Sequence, residues 1–237
     1  MSERQSFTGF PQEGLQFLAD LGENNERDWF NSRKQVYLDT IVAPAVAFVE
    51  TVGEQLQFIS PHIQYDTRTN GQGSLMRIYR DTRFSADKTP YKTWVGIRFW
   101  EGPGKANENP GFFFGFDATA GGLHVGMHGF DKTMLTAYRE AVADDKLGQE
   151  LEAALEAVRR TGAYEVNGEH YKRVPRGFDP SHPRADLLRY NTLYASSPGI
   201  EPAVLSSAGL VDVVIDHCEN MAPVQRWLVK LKKRAKT

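Results

Sequence analysis

Sixteen consecutive residues, Arg77 to Lys92, hold five cationic side chains, two carboxylates, three aliphatic hydroxyls and three aromatic rings. An Arg guanidinium is a planar fork that matches phosphate or carboxylate, and Lys adds a point charge. Arg77, Arg80, Arg83, Lys88 and Lys92 are therefore the candidate contacts for an anion. Ser85, with Thr82 and Thr89, supplies hydroxyl donors, and Tyr79 or Tyr91 offers a ring on which a ligand can stack. Asp81 and Asp87 are the candidates for a general base, although their spacing matches no hydrolase signature. The competing reading is that these two carboxylates neutralise the cations in an internal ion-pair network.

The spacing sets a geometric condition. Ser74 to Arg80 alternates as a strand does, with Leu75, Arg77 and Tyr79 on one face and Met76, Ile78 and Arg80 on the other. Side chains in a strand repeat every two residues, so Arg77, Arg80 and Arg83 converge only if the chain breaks, here expected near Asp81. A second basic segment, Lys172 to Pro183, is stiffened by Pro175, Pro180 and Pro183. Its Lys172, Arg176 and His182 are candidates to close the same site.

Two histidines share a strand face, His124 and His128. At about 3.3 Å per residue they stand about 13 Å apart, too far to share one ion, so no metal site is expected and the pair is left as proton-transfer groups lining a cleft. Cys218 follows His217 on an apolar helical stripe and reads as a buried thiol. There is no phosphate-binding Gly-rich loop, no Gly-x-Ser-x-Gly elbow and no Cys-x-x-Cys pair, and no cofactor is expected.

The chain has 237 residues and a net charge of −2. That balance gives no general attraction to nucleic acid or membrane. Arg77 to Arg98 alone carries +4, which leaves −6 elsewhere and makes the basic stretch a local feature. One cysteine excludes an intramolecular disulfide and points to a reducing compartment. No signal peptide opens the chain and no stretch approaches the ~20 apolar residues of a membrane span, so a cytoplasmic protein is expected. Oligomeric state is not legible.

The elements that must position these groups follow from periodicity. After an arm over residues 1–10, helices are expected from Pro11 to a C-cap at Gly22, and from an Asn25 or Asp28 cap to Ile59, broken or bent at Pro44. Strands follow at Ser74–Arg80, Thr93–Trp100, Gly111–Asp117 and Leu123–His128, with turns at Asn70–Gly73 and Gly121–Gly122. Asp131 caps a helix, a second ends near Gly162, and a hairpin is expected around Asn167–Gly168. A short helix over Ala185–Tyr190, a strand over Thr192–Ser196 and a long helical stripe bent at Pro223 lead to a basic tail, residues 230–237. The sum is a single α+β domain with a mainly antiparallel sheet flanked by helices.

Several of these motifs together resemble a known family, Domain of Unknown Function 2461. The match lies in Phe7-Thr8-Gly9-Phe10, in Asn24-Asn25 with Trp29-Phe30, in Arg77 to Ser85 with Asp87 to Lys92, in Tyr138-Arg139, and in Lys172 to Phe178 with His182-Pro183. The resemblance spans nearly the whole chain and implies no activity, because none is assigned to that family. The residues themselves point to a soluble protein with a polar cleft for a phosphorylated or carboxylated small molecule, with or without a reaction there. A nucleic-acid-binding module, or a structural domain built on the ion-pair network, are the alternatives.

Overall fold

A computed structural model describes residues 6–235. The first five residues of the expected arm, and Lys236 and Thr237 of the expected tail, lie outside the described residues. Six strands pair in the order β1-β2-β3-β4-β6-β5 as an antiparallel sheet with helices, an α+β fold. The strands are β1 Ile63–Gln64, β2 Val95–Glu101, β3 Gly111–Phe116, β4 Gly121–Met127, β5 Glu165–Glu169 and β6 Tyr190–Ser196. The chain divides into two compact units.

The first unit comprises the described residues up to Phe99, Phe113–Leu123 and Gly199–Asp216. Its first helix, α1 (Gln12–Glu23), buries Leu15, Phe17, Leu18 and Leu21. The helix runs through Gly22 rather than stopping there. Asn24 takes the cap, because its backbone and side-chain N–H groups both donate to the Asp20 carbonyl. Two short helices, α2 (Arg27–Ser32) and α3 (Lys34–Tyr37), lead through a π-helical turn, Leu38–Val42, into α4 (Ala43–Ile59). Pro44 has no N–H for the carbonyl four residues back, and the ladder widens just before it. The expected break is thus a π-helical turn within one helical run, Lys34–Ile59.

That helix corrects one expectation. By length and composition, Lys34–Ile59 is able to cross a membrane, with a mean hydropathy of 1.4 in its most apolar window. Scattered charges at Lys34, Asp39, Glu50 and Glu54 hide this in a search for an unbroken run. Here its apolar side makes a core: Phe48 lies 5.1 Å from Phe7, 5.8 Å from Phe10 and 5.0 Å from Phe114. Phe7 and Phe10, the end of the expected arm, are buried. The turn expected at Gly121–Gly122 falls earlier. Asp117 Oδ1 accepts from the Thr119 and Ala120 amides, and Gly121 already belongs to β4.

The second unit comprises Trp100–Phe112, His124–Pro198 and the described residues from His217. Helices α5 (Lys132–Ala143) and α6 (Asp145–Arg159) are capped by Asp131 and Asp144, which accept from Met134 N and Leu147 N. Alternate residues Leu193 and Ala195 of β6 and Val125 and Met127 of β4 are buried. The hairpin expected at Asn167–Gly168 is not formed. Glu165–Glu169 is one strand along β6, with a register shift between Asn167 and Glu169. Gly168 has φ 150° and would set a Cβ against Thr192 O, so the Asn-Gly pair makes a bulge instead of a turn. The expected short helix is a three-residue 3₁₀ turn, Leu187–Arg189. After a short α7 (Pro202–Leu205) in the first unit, α8 (Leu210–Ala235) continues through Pro223. Lys230 to Ala235 are its last turns, and Lys230 pairs with Glu150.

Candidate functional site

The basic stretch is not the straight strand its alternation implies. Leu75 bridges Ile97, supported by Met76 N to Gly96 O at 2.9 Å and Arg98 N to Ser74 O at 3.1 Å. Further on, Tyr79 bridges Tyr91, flanked by Lys92 N to Ile78 O at 2.8 Å and Arg80 N to Pro90 O at 2.9 Å. The two pairings are separated at Arg77. Leu75 and Ile78, three apart, are both buried, which a continuous strand does not allow. The pairing therefore breaks at Arg77, earlier than expected, and ends after Arg80, next to Asp81, where the break was expected.

Between Arg80 and Pro90 the loop closes on itself. Asp81 accepts from Arg83 Nε at 2.9 Å and Nη2 at 2.7 Å, and from the Arg83 amide. Asp87 accepts from the Thr89 amide at 2.9 Å and pairs with Arg80 Nη1, which also meets the Thr89 hydroxyl. Lys88 Nζ donates to Thr82 O at 2.9 Å. The Arg83 guanidinium holds Asp81 down to about 2, and the Thr89 amide, then Arg80, hold Asp87 down to about 2. Carboxylates so committed are poor bases at neutral pH. Arg80 and Arg83 are thus each paired with a carboxylate of the same loop. Ser85 and Phe84 sit in this loop, and Phe84 is exposed.

One prediction follows from the loop. The folded pKa of Asp87 lies below its unfolded value, so its interactions favour the fold above about pH 4 and are lost as pH falls towards 2. A carboxyl-carbon NMR titration is expected to place its midpoint near 2. A midpoint at the ordinary 3.8 would mean that the Arg80–Asp87–Thr89 closure does not form in solution.

The far strand of this small ribbon is held by Asn25. Its Nδ2 donates to Tyr91 O and its Oδ1 accepts from Tyr91 N, each at 3.0 Å. Tyr91 and Tyr79 face each other without exchanging backbone bonds, so the amide and carbonyl of Tyr91 point outward, and the Asn25 side chain stands in for a third strand. Asn25 is therefore not the helix cap expected. Glu26 occupies the cap position of α2, without a side-chain bond. Phe30, from α2, stacks on the Tyr91 ring at 4.2 Å, and Tyr37, pushed up to about 12 by burial, packs on Phe30.

An open groove of about 590 Å³ lies against this ribbon, lined by Asn25, Glu26, Arg27, Asn31, Tyr79, Arg80, Thr82, Lys88, Pro90 and Tyr91. Of the expected contacts it gathers Tyr79, Arg80, Lys88 and Tyr91. Arg77, Arg83, Ser85 and Lys92 do not line it. Tyr91 is buried at 3% exposure, while Tyr79 is 50% exposed and is the ring on offer. Asn25 reads in the sequence as a helix cap, and Arg27 and Asn31 give no sign there of a groove. Lys92 lies elsewhere, donating to Arg77 O at 2.9 Å with its ammonium 5.0 Å from the Trp94 ring.

Every groove residue belongs to the first unit, whereas Lys172, Arg176 and His182 belong to the second. Lys172 and Arg176 are exposed. His182 Nδ1 accepts from the Arg184 amide at 3.0 Å. Arg184 itself is buried and donates to Val142 O at 2.7 Å, Asp144 O at 3.3 Å and Glu152 Oε2 at 3.2 Å. The histidine separation is also corrected: the His124 and His128 rings are 5.8 Å apart. Gly126 between them has φ 145° and His128 lies past the end of β4, so a straight-strand rise does not apply. His124 Nδ1 meets Ser196 Oγ at 2.9 Å, and burial lowers both imidazole pKa values. Among the described residues no three His, Cys, Asp or Glu side chains form a metal-holding group. Cys218 is buried and its thiol pushed up by burial.

No curated protein matches the chain. The family model described as "Conserved hypothetical protein (DUF2461)" matches residues 13–227, in keeping with the motif resemblance, and the chain belongs to that family.

Proposed function

We propose that the groove between α2 and the Tyr79–Tyr91 ribbon binds a small molecule carrying a phosphate or carboxylate. The observation that carries this reading is the lining itself: Arg27, Arg80 and Lys88 against the single carboxylate of Glu26, beside the half-exposed ring of Tyr79. Arg27 has no ion-pair partner among the described residues and is near enough to Tyr91 to act on its hydroxyl electrostatically. Arg80 is tied to Asp87 on one side, which fixes its fork in place; an anchored guanidinium loses little freedom on meeting an anion. The Asp81 and Asp87 carboxylates shape the loop in this reading and carry no chemical step. A buried, unreactive Cys218 fits a reducing, cytoplasmic setting.

Isothermal titration against nucleotides, sugar phosphates and small carboxylates tests the reading. At least one member is expected to bind, and Arg27→Ala to weaken it by about tenfold or more, the loss of one charge-assisted hydrogen bond, with an unchanged thermal midpoint. If no member binds, or if Arg27→Ala binds as wild type does, the groove is not the site.

A further inference from the structure

The Tyr79 ring is packed on one side and open on the other. It meets Tyr91 at 5.4 Å and Phe30 at 6.4 Å, and both of those rings are buried. The half of Tyr79 that stays exposed therefore faces away from them, and Tyr79 lines the groove. Its backbone is fixed by the bridge to Tyr91, with Lys92 N to Ile78 O and Arg80 N to Pro90 O on either side. A ring so placed loses little freedom when a second flat group covers it. Arg27 and Tyr79 both act electrostatically on the Tyr91 hydroxyl. Arg27, which has no ion-pair partner among the described residues, thus lies at the hydroxyl end of the tyrosine pair. Asn31, also in the lining, has a side-chain amide with no hydrogen bond among the described residues, whereas that of Asn25 is spent on Tyr91.

We propose that the ligand of the groove is a nucleotide, with its base stacked on Tyr79 and its phosphate held by Arg27, Arg80 and Lys88. This inference rests on the anion reading above and names the ligand class. A bare phosphate or carboxylate uses the cations and leaves the exposed ring face and the Asn31 amide without a task. A sugar phosphate has hydroxyls for Asn31 but no flat face for the ring. A nucleobase supplies both. Its π face covers Tyr79, and on its edge a donor and an acceptor lie side by side, which one carboxamide meets with its N–H and its oxygen. Stacking accepts any base, so Tyr79 sets the class and Asn31 sets the preference within it. The groove, at about 590 Å³, lies within the roughly 300–1,000 Å³ usual for small-molecule sites.

The experiment uses the full chain, with adenosine and uridine monophosphates, ribose phosphate, phenyl phosphate and a dinucleotide as probes. In isothermal titration the better of the two nucleotides is expected to bind at least about tenfold more tightly than ribose phosphate, the gain from one stacked base. Proton NMR of the bound nucleotide is expected to show its base protons shifted upfield by the ring current of Tyr79. Tyr79→Leu is expected to bring the nucleotide down to the level of ribose phosphate and to leave ribose phosphate unchanged. Tyr79→Phe, which keeps the ring face, is expected to keep the preference, and Arg27→Ala to weaken both ligands alike. The nucleotide class is overturned, with the anion reading intact, if ribose phosphate or phenyl phosphate binds as tightly as both nucleotides, if the base protons do not shift, or if Tyr79→Leu keeps the preference. A dinucleotide at least about tenfold tighter than either monophosphate would overturn it in favour of a nucleic-acid strand. If no phosphate binds, the nucleotide falls, and the anion reading falls with it only if the small carboxylates fail as well.

Discussion

Asn25→Ala is expected to lower stability by about 2–3 kcal/mol, the sum of two hydrogen bonds and of leaving a buried amide and carbonyl without partners. The two groups belong to Tyr91, whose ring is stacked under Phe30. The same substitution removes a groove wall. Anion affinity at the groove is expected to fall by at least about tenfold even at temperatures where the variant is fully folded. Urea denaturation measures the first effect and titration calorimetry the second. Asn25→Asp separates the two bonds, since a carboxylate still accepts from Tyr91 N but opposes the Tyr91 carbonyl. A change below about 0.5 kcal/mol for Asn25→Ala would place the ribbon's stability elsewhere.

Arg184→Ala is expected to cost about 3 kcal/mol. Breaking a fully buried ion pair from one side costs about 3–5 kcal/mol, but Glu152 is half exposed and returns part of that to solvent. What remains is the Val142 carbonyl at the α5–α6 junction, to which Arg184 donates from its loop, while the Asp144 carbonyl keeps the Gly148 amide. Gly148 is part of the same arrangement. A Cβ there would run into the guanidinium and into the Val142 carbonyl that accepts from it, so Gly148→Ala is expected to reproduce most of the loss without touching a charge. Urea midpoints for the two variants, singly and together, check this: the double variant is expected to fall short of the sum, since both act on one contact. Full additivity would refute the shared origin.

The architecture was legible because burial imposes periods. Phe112, Phe114 and Phe116, then Leu123, Val125 and Met127, alternate on the face that the core needs, and Leu147, Leu151, Leu155 and Val158 recur at helical spacing. The candidate site was legible only as a charge anomaly. Its partition into a self-paired loop and a groove depends on contacts between residues far apart in sequence. Asn25 acts on Tyr91 across 66 positions, and its type suits a cap equally well. Gly168 shows the same ambiguity at short range, since a glycine after Asn serves a turn or a bulge. The histidine distance failed for a different reason: it assumed a uniform rise through Gly126.

The bulge at Gly168 has a bearing on how copies of this chain behave towards each other. Strand β5 is the last in its sheet and β1, two residues long, is the first. An unpaired strand edge invites a neighbouring molecule to extend the ladder. Here one rim is too short to template a strand, and the other changes register within five residues. A newcomer aligned on Glu165–Asn167 falls out of step at Glu169. A long regular edge for a neighbour to extend is thereby missing at β5, so the glycine that shapes one strand also shapes what that strand offers to another chain.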